Sequence, residues 1–130
     1  MVIDSSALIA IMLNEPERQP FLEAILASPT RLIGPPTIME SGVVVLSRMG
    51  QRGLQTLRDF CREASIETVA FAPVHVNLAL DAFRRFGKGR DPAALNLGDC
   101  FSHATAKEAG EPLLFKGNDF TQTDIWPVQD

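Results

Sequence analysis

Four carboxylates hold most of the chemical content of this sequence. Asp4 ends the apolar run Met1-Val2-Ile3, Glu40 closes Thr37-Ile38-Met39-Glu40, Asp99 lies in Asn96-Leu97-Gly98-Asp99-Cys100, and Asp119 lies in Lys116-Gly117-Asn118-Asp119-Phe120. Each has an ordinary explanation. Asp4 can cap a helix with Ser5 or Ser6, Thr37 and Glu40 have the form of a capping box, Asp99 suits the dipole of a first helical turn, and Asn118 or Asp119 can make an Asx turn. Their joint placement asks for more. Asp4 and Asp119 directly follow short apolar strands, whose carboxyl ends face the ligand crevice of an open α/β sheet, while Glu40 and Asp99 belong to the first turns of helices packed against that edge. Four oxygen donors without a Cys or His partner suit Mg²⁺ or Mn²⁺ rather than zinc. Acidity gathered in a pocket invites cations, and cations then recruit phosphate.

The elements that must position these groups can be read in order. After the first strand, residues 7–13 form a helix apolar on every side, either buried or half lent to a partner. Pro16 suits the first turn of a second helix, along which Phe21, Leu22, Ile25 and Leu26 recur at helical spacing before Ser28-Pro29 ends it. Residues 30–33 form a second strand. Glu40 shares a helical face with Val43 and Val44, which aims its carboxylate along an apolar stripe, where it needs a cation or a hydrogen-bond network. A turn at Gly50–Gly53 leads to another helix through Leu54, Leu57 and Cys61, then a third strand over 66–71 and a helix opened by Pro73. Asn96 caps the last long helix, which Gly110 stops. Gly98, in its first turn, marks the close approach of another backbone or a ligand. Residues 112–115 make a fourth strand and 124–128 a final edge strand that tolerates Pro127.

Two histidines and one basic stretch complete the inventory. His75 has only Leu78 and Ala79 one turn on, so it receives no metal role. His103 follows Asp99 by four residues, but without a second histidine nearby ordinary hydrogen bonding is the better reading. Arg84-Arg85-Phe86-Gly87-Lys88-Gly89-Arg90 is either a solvated helix end complementing the dipole or a flexible phosphate clamp.

Composition limits the classes available. The 130 residues, 45% apolar and 22% charged, suit one domain over 1–130. Net charge is −4, yet with four of the 16 acids placed in one cluster the remaining acids match the 12 Lys and Arg in number. Apolar runs fall far below the ~20 residues of a membrane span, so a cytoplasmic protein without membrane contact is expected. Cys61 and Cys100 read as two buried, reduced thiols.

The order Asp4 in Val-Ile-Asp-Ser-Ser-Ala, Glu40 in a helix, Asp99 in Leu-Gly-Asp-Cys and Asp119 in Leu-Leu-Phe-Lys-Gly-Asn-Asp-Phe resembles the PIN-domain ribonucleases. Within them it resembles the VapC toxins of bacterial type II toxin-antitoxin pairs. The resemblance covers nearly the whole chain. It implies an α/β fold with a central parallel sheet of about four to five strands flanked by helices, and a homodimer. It also implies metal-dependent cleavage of single-stranded or looped RNA, transfer or ribosomal, inhibition of translation, and silencing by a co-expressed VapB-like antitoxin. Asp4, Glu40, Asp99 and Asp119 then hold one or two Mg²⁺ (or Mn²⁺) ions, about 4 Å apart if both bind, that activate a water and stabilise the leaving oxygen. Asp4 and Asp99 are expected as direct ligands, Glu40 and Asp119 through water. Ser6 matches the family's serine after the first aspartate and would orient it. Arg84, Arg85, Lys88, Arg90 and Lys116 would meet RNA phosphates. The fourth motif departs from the family, with Phe115-Lys116-Gly117 where many relatives carry a threonine, which leaves Asp119 and Asp124 as alternatives for the fourth acid.

Two other classes compete. An aspartate-based phosphotransfer or signalling domain also places aspartates at strand ends, but Asp4-Ser5-Ser6 lacks a second aspartate two residues on. A non-catalytic interaction module would use the apolar first helix and leave the acids as caps.

Overall fold

Successive residues of a strand face opposite sides of its sheet, so a strand of two apolar residues serves two cores at once. The computed structural model, which describes residues 1–128, is built on that economy. Strands β1 (Val2–Ile3), β2 (Leu32–Ile33), β3 (Glu67–Thr68) and β4 (Leu113–Leu114) form one parallel sheet in the order β3-β2-β1-β4. Val2 is in register with Leu32 and with Leu113, and Ile3 with Leu114. Ile3, Ile33 and Leu114 face a core completed by Leu8, Val45 and Leu57; Val2 and Leu113 face a second one with Ala82, Leu95, Cys100 and Ala104. Helices α1 (Ser5–Met12), α2 (Arg18–Ala27) and α3 (Pro35–Glu63) cover the first face, and α4 (Pro73–Phe86) and α5 (Leu97–Ala109) the second. This is the expected α/β architecture with a parallel sheet.

Several local expectations need correction. The final strand over 124–128 is reduced to one parallel bridge between Leu113 and Pro127, with its hydrogen bonds made by Trp126 O and Val128 N and the N–H that Pro127 lacks facing the open edge. The first helix is not half lent to a partner: Ala7, Leu8, Ala10 and Ile11 are all buried. Helix α2 begins at Arg18, leaving Pro16 in the preceding turn. Helix α3 begins at Pro35, so Thr37 is not its cap, no capping box with Glu40 forms, and Glu40 lies in the second turn. Proline at the first helical position explains the early start, since its missing N–H has no intrahelical partner there in any case.

Helix α3 breaks at Gly50, whose φ of 69° and ψ of −166° lie outside the helical region. A Cβ on Gly42 would touch Leu54 at 3.5 Å. Residues twelve apart in one continuous helix would be separated by about 18 Å, so the two legs fold back on each other. Asn96 and Asp99 do form a capping box at the start of α5, and Gly110 ends it with a φ of 65°. Both cysteines are free; Cys100 is buried, its thiol pushed up to about 11 by burial and by the charge of Asp99, while Cys61 is half-buried. Among the described residues no helix is long and apolar enough to cross a membrane.

Candidate active site

The strand order places β1 beside β4, so the segments leaving these two carboxyl ends are neighbours at the edge of the sheet. Asp4 leaves β1 and caps α1. It is almost fully buried, yet well supplied with donors: Oδ2 accepts from the Ser6 amide (3.0 Å) and Ser6 Oγ (2.6 Å), and Oδ1 from Ser102 Oγ (2.5 Å). Ser6 Oγ accepts in turn from the Lys116 amide at 2.9 Å, just beyond β4. Ser6, expected to orient Asp4, thus touches both Asp4 and the segment leaving the strand beside it.

Asp99, at the start of α5, is held by the cap: its Oδ2 accepts from the Asn96 amide at 3.0 Å, and its own amide donates to Asn96 Oδ1 at 2.9 Å. Burial is the largest influence on its carboxyl, followed after the opposing Asn96 bond by the charges of Asp119 and Asp4 and a hydrogen bond to Asp119. Together they push it up to about 7. Asp119, exposed in the turn after β4, is therefore the acid that joins Asp4 and Asp99. Glu40 arrives from α3 and lies over Gly98, where a Cβ would come within 2.3 Å of Oε2. Its Oε1 is buried with no hydrogen-bond partner among the described residues. The close approach expected at Gly98 is that of this side chain. Among the described residues no group of three or more His, Cys, Asp and Glu side chains is arranged to hold a metal ion as it stands.

Asp124 belongs elsewhere. It accepts from His103 Nε2 (2.8 Å), Lys107 Nζ (2.7 Å) and Arg85 (3.1 Å). Burial opposes its ionisation, but these three donors outweigh it and hold the carboxyl well below the usual range. His103 thus does the ordinary hydrogen bonding expected of it. Burial lowers its pKa despite the carboxylate beside it, and its other ring nitrogen, Nδ1, is buried without a partner among the described residues. Both observations describe a neutral ring that donates from Nε2.

With this geometry in hand, comparison with known proteins decides the family. The model of the PIN domain matches residues 1–125. Ribonuclease VapC of Mycolicibacterium smegmatis is 43% identical over 128 residues, spanning 98% of this chain and 99% of that one. Ribonuclease VapC30 of Mycobacterium tuberculosis is 42% identical, spanning 98% of each. The chain belongs to the PIN-domain VapC ribonucleases. The crystal structure of VapC20 of Mycobacterium tuberculosis, a sarcin-ricin loop cleaving toxin, superimposes with a TM-score of 0.80 over 99% of this chain and 98% of that one; at 13% identity this shows the shared fold alone.

Within this VapC-family chain the basic residues divide. Arg84 pairs with Asp81 at 2.6 Å, Arg85 bridges Asp81 and Asp124 and stacks over Phe86, and Lys116 pairs with Glu15 and Glu17 at 3.2 and 3.3 Å. Lys88 and Arg90, in the exposed turn after α4, enter no ion pair among the described residues. His75 is buried, stacks on Phe71, and accepts from the Ala72 amide. Sequence reasoning missed Ser102 and Thr37, which face each other at 3.3 Å beside Asp4. The available signal was a hydroxyl on the side of each helix that should be apolar.

Proposed function

We propose that this VapC-family protein is an Mg²⁺- or Mn²⁺-dependent endoribonuclease, the toxin of a type II toxin-antitoxin pair, which hydrolyses phosphodiester bonds in single-stranded or looped transfer or ribosomal RNA and so inhibits translation. The observation that carries this reading is the crowding of Asp99 by Asp119 and Asp4, with Glu40 Oε1 orphaned over Gly98. A phosphoaspartate scheme gives Glu40 and Asp99 no role, whereas a metal-ion reading uses both.

The donor set fits a hard divalent ion. All its atoms are carboxylate oxygens, their like charges raise the cost of ionising Asp99, and the buried Glu40 Oε1 lacks any other source of positive charge. Asp4 and Asp99 would hold the ion directly, and Glu40 and Asp119, at the end of flexible or exposed side chains, would complete the shell through water. When bound, the ion lowers the pKa of the attacking water and offsets charge on the leaving oxygen. The protein supplies the rest. Ser6 and Ser102 fix the Asp4 carboxylate, the Asn96 amide fixes Asp99, and Gly98 leaves room for Glu40. Asp99, pushed up to about 7, releases a proton when positive charge arrives. Of the five basic residues, Lys88 and Arg90 are the cations left to meet RNA phosphates, while Arg84, Arg85 and Lys116 are engaged by carboxylates of the chain itself.

Partners follow from exposed apolar faces. A groove of about 400 Å³ between the legs of α3, lined by Ile38, Met39, Val43, Leu46, Leu54 and Cys61, suits an apolar antitoxin helix of VapB type. On α4 the exposed Val76, Leu80 and Phe83, one turn apart, suit a second copy of the chain. The test is to map RNA ends after brief induction of wild type and Asp99→Asn. Discrete new ends that need intact Asp99, and that disappear in vitro when the divalent ion is chelated, support the reading; identical ends from both proteins overturn it.

A further inference from the structure

Ser102 sits on α5 three residues after Asp99, and Thr37 on α3 three residues before Glu40. Both are buried, and Ser102 does not use its hydroxyl in the usual way for a helix interior, where Ser and Thr bond back to the carbonyl four residues earlier. Ser41, Ser47 and Thr105 do so here. Ser102 instead points at Asp4 Oδ1, 2.5 Å away, with Thr37 Oγ1 at 3.3 Å on its other side. A carboxylate only accepts, so the single hydroxyl proton of Ser102 goes to Asp4, and the contact with Thr37 requires Thr37 to donate to Ser102. On the other oxygen of Asp4, the Lys116 amide donates to Ser6 Oγ and Ser6 Oγ donates to Oδ2. The two chains converge. Every link comes from a segment that carries one of the four acids: Thr37 from that of Glu40, Ser102 from that of Asp99, Lys116 from that of Asp119.

We propose that Ser102 is a positioning residue for Asp4, the middle link of a Thr37–Ser102–Asp4 hydroxyl chain that sets the carboxylate's rotamer and ties α3 and α5 to it before an ion arrives. The inference rests on the reading of Asp4 as a metal ligand. Its consequence is that Ser102, which touches neither ion nor RNA, governs metal affinity through Asp4, and Thr37 governs it only through Ser102.

The test titrates Mn²⁺ into Ser102→Ala, Thr37→Val and the double variant, reading free Mn²⁺ by electron paramagnetic resonance, with the metal-free melting temperature measured in parallel. Ser102→Ala is expected to weaken Mn²⁺ binding about 10- to 100-fold, the range for groups that orient a ligand. Thr37→Val is expected to weaken it roughly 3-fold, as for loss of one neutral hydrogen bond. The double variant should bind no more weakly than Ser102→Ala alone. Mn²⁺ affinity within about twofold of wild type in Ser102→Ala, or in Thr37→Val should Ser102→Ala not fold, overturns the proposal even if melting falls, as does a double variant whose two losses multiply. Asp99→Asn separates the two levels. If it too retains wild-type affinity, the metal-site reading fails; if it loses binding while Ser102→Ala keeps it, only the positioning role falls.

Discussion

Helix α5 contributes to two carboxylate sites that treat negative charge in opposite ways. At its start Asp99 is buried among Asp4 and Asp119 and pushed up to about 7. Further along the same face His103 and Lys107, joined by Arg85 of α4, surround Asp124 and hold it well below the usual range. Asp124 has a donor for each of its interactions, so it closes the fold. The cluster around Asp99 is left short of positive charge, which costs stability and, on the proposed reading, is what a cation would relieve. The number of acids in a region therefore says less about function than whether the fold has already satisfied them.

The largest test of this contrast is Asp99→Asn. It should reduce RNA cleavage by on the order of 10²–10³-fold or more, as for loss of a charge-stabilising group in a transition state. The metal-free variant should nonetheless melt higher than wild type at pH 8, because a repelled charge has gone; a lower melting temperature would break the comparison. Gly98→Ala comes next. The new methyl displaces Glu40, so activity should fall roughly 10-fold or more, the scale of disturbing a group that tunes a metal site, while stability is held or raised by up to about 1 kcal/mol from the better helix former. A paired activity assay and urea melt decides it.

Asp124→Ala should do the reverse. It should lose roughly 2 kcal/mol of stability, in the range for hydrogen bonds to a charged group, and retain metal-dependent cleavage per folded molecule. Loss of cleavage in a folded Asp124→Ala protein would return Asp124 to the active site. The two sites also differ in the sign of their pH response. Asp99 has a raised folded pKa, so its contribution to metal-free stability is fully present only below the ordinary carboxylate range and is lost as pH rises from there through about 7. Asp124 has a depressed one, so its contribution is present above the normal carboxylate range and is lost as pH falls through its folded value. Mn²⁺ affinity, which needs Asp99 ionised, should weaken between pH 8 and 6; calorimetry in buffers of different ionisation heat would detect the proton released. The smallest effect is expected from Lys88→Ala or Arg90→Ala, each lowering the slope of log affinity for single-stranded RNA against log salt by about 0.7.

What the sequence made legible was local. A strand followed by aspartate located Asp4, the Asn96 cap located Asp99, and a glycine in a first turn announced that something approaches there. Glu40 was assigned correctly to a helix but to the wrong turn, because Thr37 and Glu40 imitate a capping box and two prolines read as loop although the helix had already begun. The second-turn position is what carries its carboxylate across to Gly98. Ser102 and Thr37 left only a weak signal, since a hydroxyl on the apolar side of a helix is informative only once its opposite number on another helix is known. The cations failed for the same reason. Spacing revealed a basic stretch, but not that Asp81 and Asp124 would claim Arg84 and Arg85 while Lys88 and Arg90 stayed exposed. The apolar first helix was left as either buried or half lent to a partner, because periodicity cannot tell a helix roofed by α2 and α3 from one awaiting a partner; it is the buried alternative that holds.

Pairing Val2 with Leu113 has a consequence during synthesis. The first strand to leave the ribosome waits for nearly the last before its carboxylate gains the Lys116-linked serine and the neighbouring turn that holds Asp119. A chain still being translated thus lacks the assembled cluster of acids until β4 and the turn after it have emerged.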